Sequence, residues 1–179
     1  GYAPVQVRKN FSETAFFYPH LETNEEGGVI VKFTVPESLT KWKMLGFAHT
    51  EDLKFGLIDN ELVTQKDLMI IPNMPRFLRE NDEITLSAKI TNLSKKDQSG
   101  KAEIKLFDAS TMKSVAADFK LKSGSQSFSV KAGQSTLVTW SVKVPEGLSA
   151  LTYRFTAQTA KFSDGEENTV PVLTNRMLV

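Results

Sequence analysis

The chain has 179 residues, of which 40% are hydrophobic and 24% charged, a composition typical of a soluble globular protein. Lysine and arginine number 22 against 21 acidic residues, a net charge of +1 that lacks the clustered basic excess of a nucleic-acid-binding protein. There is no cysteine, which excludes disulfides, a thiolate zinc site, a cysteine nucleophile and a thioester within this sequence.

The first feature along the chain is an aromatic segment at residues 5–19, VQVRKNFSETAFFYP. It is too short and too often interrupted for a membrane-spanning helix, and it lacks the apolar core and cleavage site of a signal peptide. Within it, Glu13 is predicted to accept hydrogen bonds from the backbone or from Arg8 or Lys9. A role for Glu13 as a general acid is the alternative.

Alternation of apolar and polar residues with a period of two dominates the rest of the chain and predicts strands. The clearest predicted strands cover residues 29–35, 84–91, 138–144 and 151–158. Further predicted strands cover residues 42–49, 62–71, 101–107, 114–121, 126–130 and 168–173. Glycine, asparagine and aspartate predict turns at residues 26–28, 59–60, 80–82, 98–100, 123–124, 132–133 and 164–165.

No amphipathic helix of ten residues or more is evident in this pattern, so a helix content below about 10% is expected. The sequence also allows short helical turns near residues 37–40 or 109–113. The many short strands indicate an all-β fold of antiparallel immunoglobulin-like or fibronectin-like β-sandwiches. The same alternation places Trp140 and Phe155 in one core, with Thr139 and Arg154 outside it.

The predicted strands divide unevenly at about residue 58. Residues 59–173 hold enough strands for one complete sandwich. Residues 1–58 supply only a few strands, too few for an independent two-sheet core, so the first domain is predicted to be incomplete. Residues 174–179 are predicted to begin a linker to a further domain, and both ends are expected to be cut points in a longer chain.

Four segments carry a resemblance to the alpha-2-macroglobulin family. Residues 8–14 (RKNFSET) with the aromatics that follow, and residues 34–42 (TVPESLTKW), resemble the family's basic-Phe-Pro-Glu-Thr motif and its Val-Pro-Asp-x-Ile-Thr-x-Trp strand end. Residues 67–79 (DLMIIPNMPRFLR) resemble the opening of the next macroglobulin-type domain, and residues 170–176 (VPVLTNR) its exit toward the thioester region.

Two positions depart from the family pattern without disturbing its aromatic packing. Ser12 stands where many relatives have proline, and Phe17 stands where vertebrate members have tryptophan. Together with the absence of cysteine, this form of the motif is more similar to bacterial members than to vertebrate ones.

The resemblance implies that residues 1–58 are the C-terminal part of a macroglobulin-type domain, resuming after an inserted bait segment, and that residues 59–173 are a complete one. The resemblance further implies that the chain is a non-catalytic structural fragment of a bacterial protease inhibitor (a protease trap). The location it implies is the periplasm, the cell envelope or outside the cell after secretion. The implied partners are other domains of the parent chain and, through the intact protein, target proteases. The family's thioester motif lies after Val179 if the parent has one.

The incomplete first domain predicts exposed apolar side chains and an unpaired sheet edge, which the isolated chain is expected to cover either by packing on its second domain or by forming a homodimer. An adhesin or carbohydrate-binding β-sandwich of a surface protein is the alternative function, and an accessory sandwich of a larger enzyme is a weaker third one. Contiguous exposed aromatics favour the adhesin, whereas buried tryptophans favour the scaffold.

No catalytic, cofactor-binding or metal-binding residue is predicted, and the chain is expected not to be an enzyme. His20 and His49 are interpreted as polar residues of a loop and a strand end, because no third ligand is apparent. The acidic residues 163–168 favour an Asp-Gly hairpin turn over a calcium loop. Trp42 and Trp140 are expected to anchor cores rather than to stack on sugars.

Overall fold

The computed structural model describes residues 1–52 and 54–174, and this part of the chain is all β, with eleven strands and no helix. The predicted fold class and low helix content are therefore confirmed. No helix in this part could span a membrane. The strands are β1 (Val7–Arg8), β2 (Lys41–His49), β3 (Phe55–Val63), β4 (Leu68–Asn73), β5 (Leu78–Arg79), β6 (Glu83–Asn92), β7 (Gln98–Asp108), β8 (Ser125–Val130), β9 (Ser135–Lys143), β10 (Ala150–Thr159) and β11 (Ser163–Leu173).

The chain forms two compact units, which we name the sandwich unit and the hairpin unit. The sandwich unit combines Gly1–Lys9 with the chain from Lys66 onward, and the hairpin unit is Asn10–Gln65. The hairpin unit is thus inserted into the sequence of the sandwich unit. The division at residue 58 lies inside β3, but the assignment of macroglobulin-type domains to these segments stays a prediction.

The sandwich unit has two sheets. One has the strand order β1-β11-β10-β7-β8, with β5 also pairing with β11, and the other has the order β4-β6-β9. Pairing is antiparallel except that β1 and β5 each pair with β11 in parallel. The ends of β11 therefore receive two short strands from distant parts of the sequence.

The core of the sandwich unit follows the period-two alternation. Trp140 on β9 and Phe155 on β10 are 3% and 0% exposed and meet edge to face, with ring centroids 5.4 Å apart. Thr139 is exposed and Arg154 lies on the outer side of β10, half-buried. The predicted placement of these four residues is confirmed, as is that of Trp140 as a core anchor.

Three predicted strands are wrong. Residues 29–35 alternate in polarity but form no ladder, and Phe33 packs its ring on Phe16 with centroids 4.4 Å apart. Residues 114–121 form turns after a single bridge from Ser114 to Phe107. The predicted strand 62–71 is interrupted at residues 64–67, between β3 and β4.

Three predicted turns lie within strands. Residues 59–60 belong to β3, residues 98–100 to β7 and residues 164–165 to β11. In β3, Asp59 binds Lys43 across the hairpin with an oxygen–nitrogen distance of 3.0 Å, so a turn-type residue serves as a cross-strand partner. Gly100, Asp164 and Gly165 lie in strands because they make tertiary contacts that their local sequence does not indicate.

The hairpin unit contains one two-stranded sheet, in which β2 and β3 pair from Lys41 with Val63 to His49 with Phe55. Trp42 is half-buried, and its Nε1 donates to Thr64 Oγ1 at 3.1 Å. Apolar side chains stay exposed on both strands, namely Met44, Leu45, Phe47, Phe55, Leu57, Ile58, Leu62 and Val63.

Candidate functional site: a buried charge cluster on β11

The most unusual feature of the sandwich unit is a group of buried charges near the start of β11. Asp164 is 0% exposed and Arg8, from β1, is 6% exposed. Asp164 and Glu166 lie on the same side of β11 as the core residues Val170 and Val172, because alternate residues of a strand share a face. Charges at such positions need close partners, since a buried unpaired charge is strongly destabilising.

Arg8 and Asp164 form a bidentate pair. Arg8 Nε donates to Asp164 Oδ1 and Arg8 Nη2 donates to Asp164 Oδ2, each at 2.9 Å. Both side chains also bind the backbone of β4: the Ile70 amide donates to Asp164 Oδ2 at 2.9 Å, and Arg8 Nη2 donates to the Ile70 carbonyl at 2.9 Å. The pair thus gives Ile70 the hydrogen bonds that a neighbouring strand supplies, and links the two sheets.

Lys66 and Glu166 complete the cluster. Lys66 Nζ lies 3.1 Å from Asp164 Oδ1 and donates to the Ser163 carbonyl at 3.3 Å. Glu166 Oε2 lies 3.4 Å from Arg8 Nη2. Burial raises the pKa of Glu166; Arg8 opposes that rise, nearby Asp164 adds to it, and the pKa stays above its usual value on balance. Burial, with a smaller contribution from the charge of Glu166, raises the pKa of Tyr153 to about 12.

A second group of charges lies beside the cluster on the outer side of β11. Glu167 accepts from Lys9 at 3.0 Å and from Arg154 at 2.6 Å. Burial alone raises the pKa of Glu167, but the hydrogen bonds from Lys9 and Arg154 outweigh it and leave the pKa lowered. Arg8 of β1 and the next residue, Lys9, therefore bind β11 on both of its faces.

The cluster holds chain segments together. Its carboxylates and cations bind one another and the backbone. The cluster joins β1, Lys66 (two residues before β4) and β11. Arg8 and Asp164 are 156 residues apart in sequence, and Lys66 and Asp164 are 98 residues apart.

Of the residues singled out in the sequence, Arg8 and the acidic segment 163–168 contribute to this site, whereas Glu13 and the two histidines do not. Glu13 is exposed in the hairpin unit, and the prediction paired Arg8 and Lys9 with the wrong carboxylate, since they bind Asp164 and Glu167. His20 is in a loop and His49 ends β2, as expected. Within the described ranges no three acidic or histidine side chains could hold a metal ion together.

The predicted hairpin turn at the acidic segment 163–168 is wrong, because this segment forms the first half of β11. The sequence contains part of the information needed to identify this site. Asp164 and Glu166 continue the inward period of the predicted strand 168–173, and buried acids on such a period require basic partners. The sequence does not indicate which cations supply them.

The hairpin unit has a separate open groove of about 410 Å³ between its loop segments and its sheet. Its apolar lining includes Phe16, Phe33, Val35, Trp42 and Leu62. Its polar lining consists of Glu13, Thr14, Lys43, Asn60 and Glu61.

Comparison with known proteins first defines the class of fold. The crystal structure of trypsin-activated alpha-2-macroglobulin from Escherichia coli matches 84% of this chain with a TM-score of 0.69 at 19% sequence identity, and the match covers 10% of that chain. Escherichia coli alpha-2-macroglobulin activated by porcine elastase matches 93% of this chain with a TM-score of 0.67. The described part of this chain therefore has the all-β fold of macroglobulin domains.

Sequence comparison then gives the family. The model of the alpha-2-macroglobulin family matches residues 14–106, just over half of the chain. The alpha-2-macroglobulin of Thermotoga maritima is 28% identical over 170 residues, covering 94% of this chain and 10% of that protein. This chain belongs to the alpha-2-macroglobulin family. It spans about a tenth of the length of that relative.

Proposed function

We propose that this chain is a non-catalytic structural part of a bacterial alpha-2-macroglobulin-like protease inhibitor that acts in the periplasm, in the cell envelope or after secretion. The observation that carries the proposal is the family match across residues 14–106, which runs through most of the hairpin unit and continues from β4 into β7 of the sandwich unit. Bacterial relatives and structural neighbours of the same family support it.

The proposed mechanism is mechanical. Rigid β-sandwiches hold a bait segment and a thioester-region domain of the intact protein in an arrangement that changes when the bait is cut. The well-filled core around Trp140 and Phe155 supports such rigidity in the sandwich unit. The ion pairs of Arg8 and Lys66 with Asp164 also support this rigidity, because they fix the two places where the chain leaves and re-enters the sandwich unit.

The proposed domain organisation assigns residues 1–58 to the C-terminal part of one macroglobulin-type domain and residues 59–173 to a complete one. In support, the described residues of the hairpin unit form a single two-stranded sheet, whereas those of the sandwich unit form a six-stranded and a three-stranded sheet. Residues 175–179, most of the predicted linker 174–179, lie outside the described residues.

An adhesin or carbohydrate-binding module is the second candidate, and one observation favours it. Phe47 and Phe55, both exposed, stack on the β2–β3 hairpin with ring centroids 6.3 Å apart. Phenylalanine offers a sugar no hydrogen bond, and the two tryptophans are buried or half-buried. The scaffold is therefore the better supported function.

Incubation with proteases tests the proposed role. We expect the isolated chain to leave the activity of trypsin and elastase unchanged at equimolar concentration, because it is proposed to contain neither the bait nor the trap. The longer parent protein is expected to inhibit them. A heat-unfolded sample of the chain serves as the control for simple competition between substrates. Stoichiometric loss of protease activity with the isolated chain, or no inhibition by the parent, contradicts the proposal.

We further propose that other domains of the parent cover the apolar face of the hairpin unit, and that a second copy covers it in the isolated chain. Phe47 is 66% exposed and Leu57 80%, and burying one such side chain contributes roughly 1.5–3 kcal/mol. We expect sedimentation velocity to show a concentration-dependent dimer that Phe47→Ser weakens. Leu137→Ser, at a 61% exposed position of β9, is the matched control. A strictly monomeric chain at all concentrations contradicts pairing.

A further inference from the structure

Residues 1–9, the first segment of the sandwich unit, form a strap that lies along β11 and the end of β10. The Ala3 amide donates to the Thr159 carbonyl at 3.1 Å, Gln158 Nε2 donates to the Ala3 carbonyl at 3.0 Å, and Ser163 Oγ donates to the Pro4 carbonyl. The ladder of β1 with β11 has only two residue pairs. The apolar core of the unit runs from Leu68 to Val172 and takes no side chain from the strap.

Gly165 provides the place where the strap lies. A side chain there would meet Val5 Cγ1, Val7 Cγ2 and Thr156 Cγ2, each at 3.2 Å, which is tighter than ordinary contact. The two valines therefore fit against β11 only because this residue has no Cβ. Gly165 lies between Asp164 and Glu166, the two acids that bind Arg8.

Asp164 holds both chain connections of the inserted hairpin unit. Arg8 is two residues before Asn10, where that unit begins, and Lys66 follows Gln65, where it ends. Both cations bind Asp164 Oδ1, at 2.9 and 3.1 Å, while Asp164 Oδ2 accepts from the Ile70 amide at 2.9 Å. One buried carboxylate thus fixes the strap, Lys66 and the edge of β4.

We propose that Asp164 is a latch, whose release lets residues 1–9 lift from β11 and frees Lys66 while the rest of the sandwich unit stays folded. The strap can open locally because its attachment consists of this ion cluster, the Lys9–Glu167 pair, a few hydrogen bonds and the contacts of Val5 and Val7 with β11, and not of core side chains. Opening uncovers the edge of β11 along residues 163–167 and removes Arg8 from the Ile70 carbonyl of β4. The entry and exit of the hairpin unit are thereby coupled through one residue.

Hydrogen exchange of the whole chain, read by mass spectrometry, tests the latch with Asp164→Asn. Asparagine keeps the shape of the side chain but lacks the charge that binds both cations. We expect exchange at Val7, Arg8 and Ile70 to accelerate about tenfold or more, and exchange in β9 to change by less than about twofold. Glu83→Gln is the matched control, because it removes an exposed acid paired with Lys143 at 3.6 Å.

Two further variants separate the latch from a general structural role. Gly165→Ala crowds Val5 and Val7 without changing any charge, so it is expected to accelerate exchange in the strap but not at Ile70. Lys66→Met is expected to accelerate exchange at Arg8, and to add nothing once Asp164→Asn is present. These variants also test the proposal if Asp164→Asn does not fold.

Three results overturn the latch. The first is uniform acceleration across β6, β9 and β10 in Asp164→Asn, which makes Asp164 a determinant of the whole fold. The second is unchanged exchange in the strap. The third is an additive effect of Lys66→Met in the Asp164→Asn background, which shows that the two connections are not coupled through this carboxylate.

Discussion

Phe155→Ala is expected to lower the free energy of unfolding of the sandwich unit by about 3–5 kcal/mol. Phe155 is 0% exposed on β10, which pairs with β7 on one side and β11 on the other. Its ring meets Trp140 at 5.4 Å and Tyr153 at 5.7 Å between centroids, both edge to face. Removing the ring leaves a cavity, and the two flanking ladders prevent this cavity from closing. The expected loss of stability is therefore that of truncating a fully buried phenylalanine.

Urea unfolding followed by circular dichroism in the β region measures this loss. Leu137→Ala, at an exposed position of β9, is the control and is expected to change the free energy of unfolding by less than about 0.5 kcal/mol. A loss below about 1 kcal/mol for Phe155→Ala contradicts the described core, since so small an effect is typical of a surface position.

The period-two alternation predicted the central strands of the sandwich unit, because those strands have one face in the core. Trp140, Phe155, Thr139 and Arg154 are all on the predicted sides. The same alternation at residues 29–35 was misleading, since a strand also needs a neighbour to accept its backbone hydrogen bonds. The only sheet of the hairpin unit among the described residues is β2 with β3, and it does not extend to this segment.

The candidate site could not be predicted in the same way, because its members are distant in sequence and individually resemble other features. Asp164 and Gly165 together favour a hairpin turn, yet Asp164 is paired with Arg8 and Gly165 makes room for Val5 and Val7. Both residues pair with β10 in the sheet and contact a strap more than 150 residues earlier. Local propensity gives way at such positions to tertiary contacts.

Gly100 is the third residue where a turn signal marks a close approach, and Gly100→Ala is expected to destabilise the sandwich unit by about 3 kcal/mol or more. A Cβ at this position would lie 1.9 Å from the Gln158 carbonyl oxygen and 3.2 Å from Phe128 Cζ. The first contact is with backbone, so no side-chain rotation relieves it. The strands β7 and β10 must separate locally, at the pair of Gly100 with Thr159.

The direction of the stability change distinguishes a close approach of two strands from an ordinary glycine position. Alanine in place of glycine in a strand is ordinarily favourable by roughly 0.5–1 kcal/mol, because it restricts the unfolded chain. Gly56→Ala, in β3 with no atom within 4 Å of the added Cβ, is the matched control and is expected to leave the unfolding of the sandwich unit unchanged. Thermal unfolding of both variants measures the difference. If Gly100→Ala is neutral or stabilising, β7 and β10 do not approach each other here as described, and the register that places Phe155 opposite Ile104 is wrong as well.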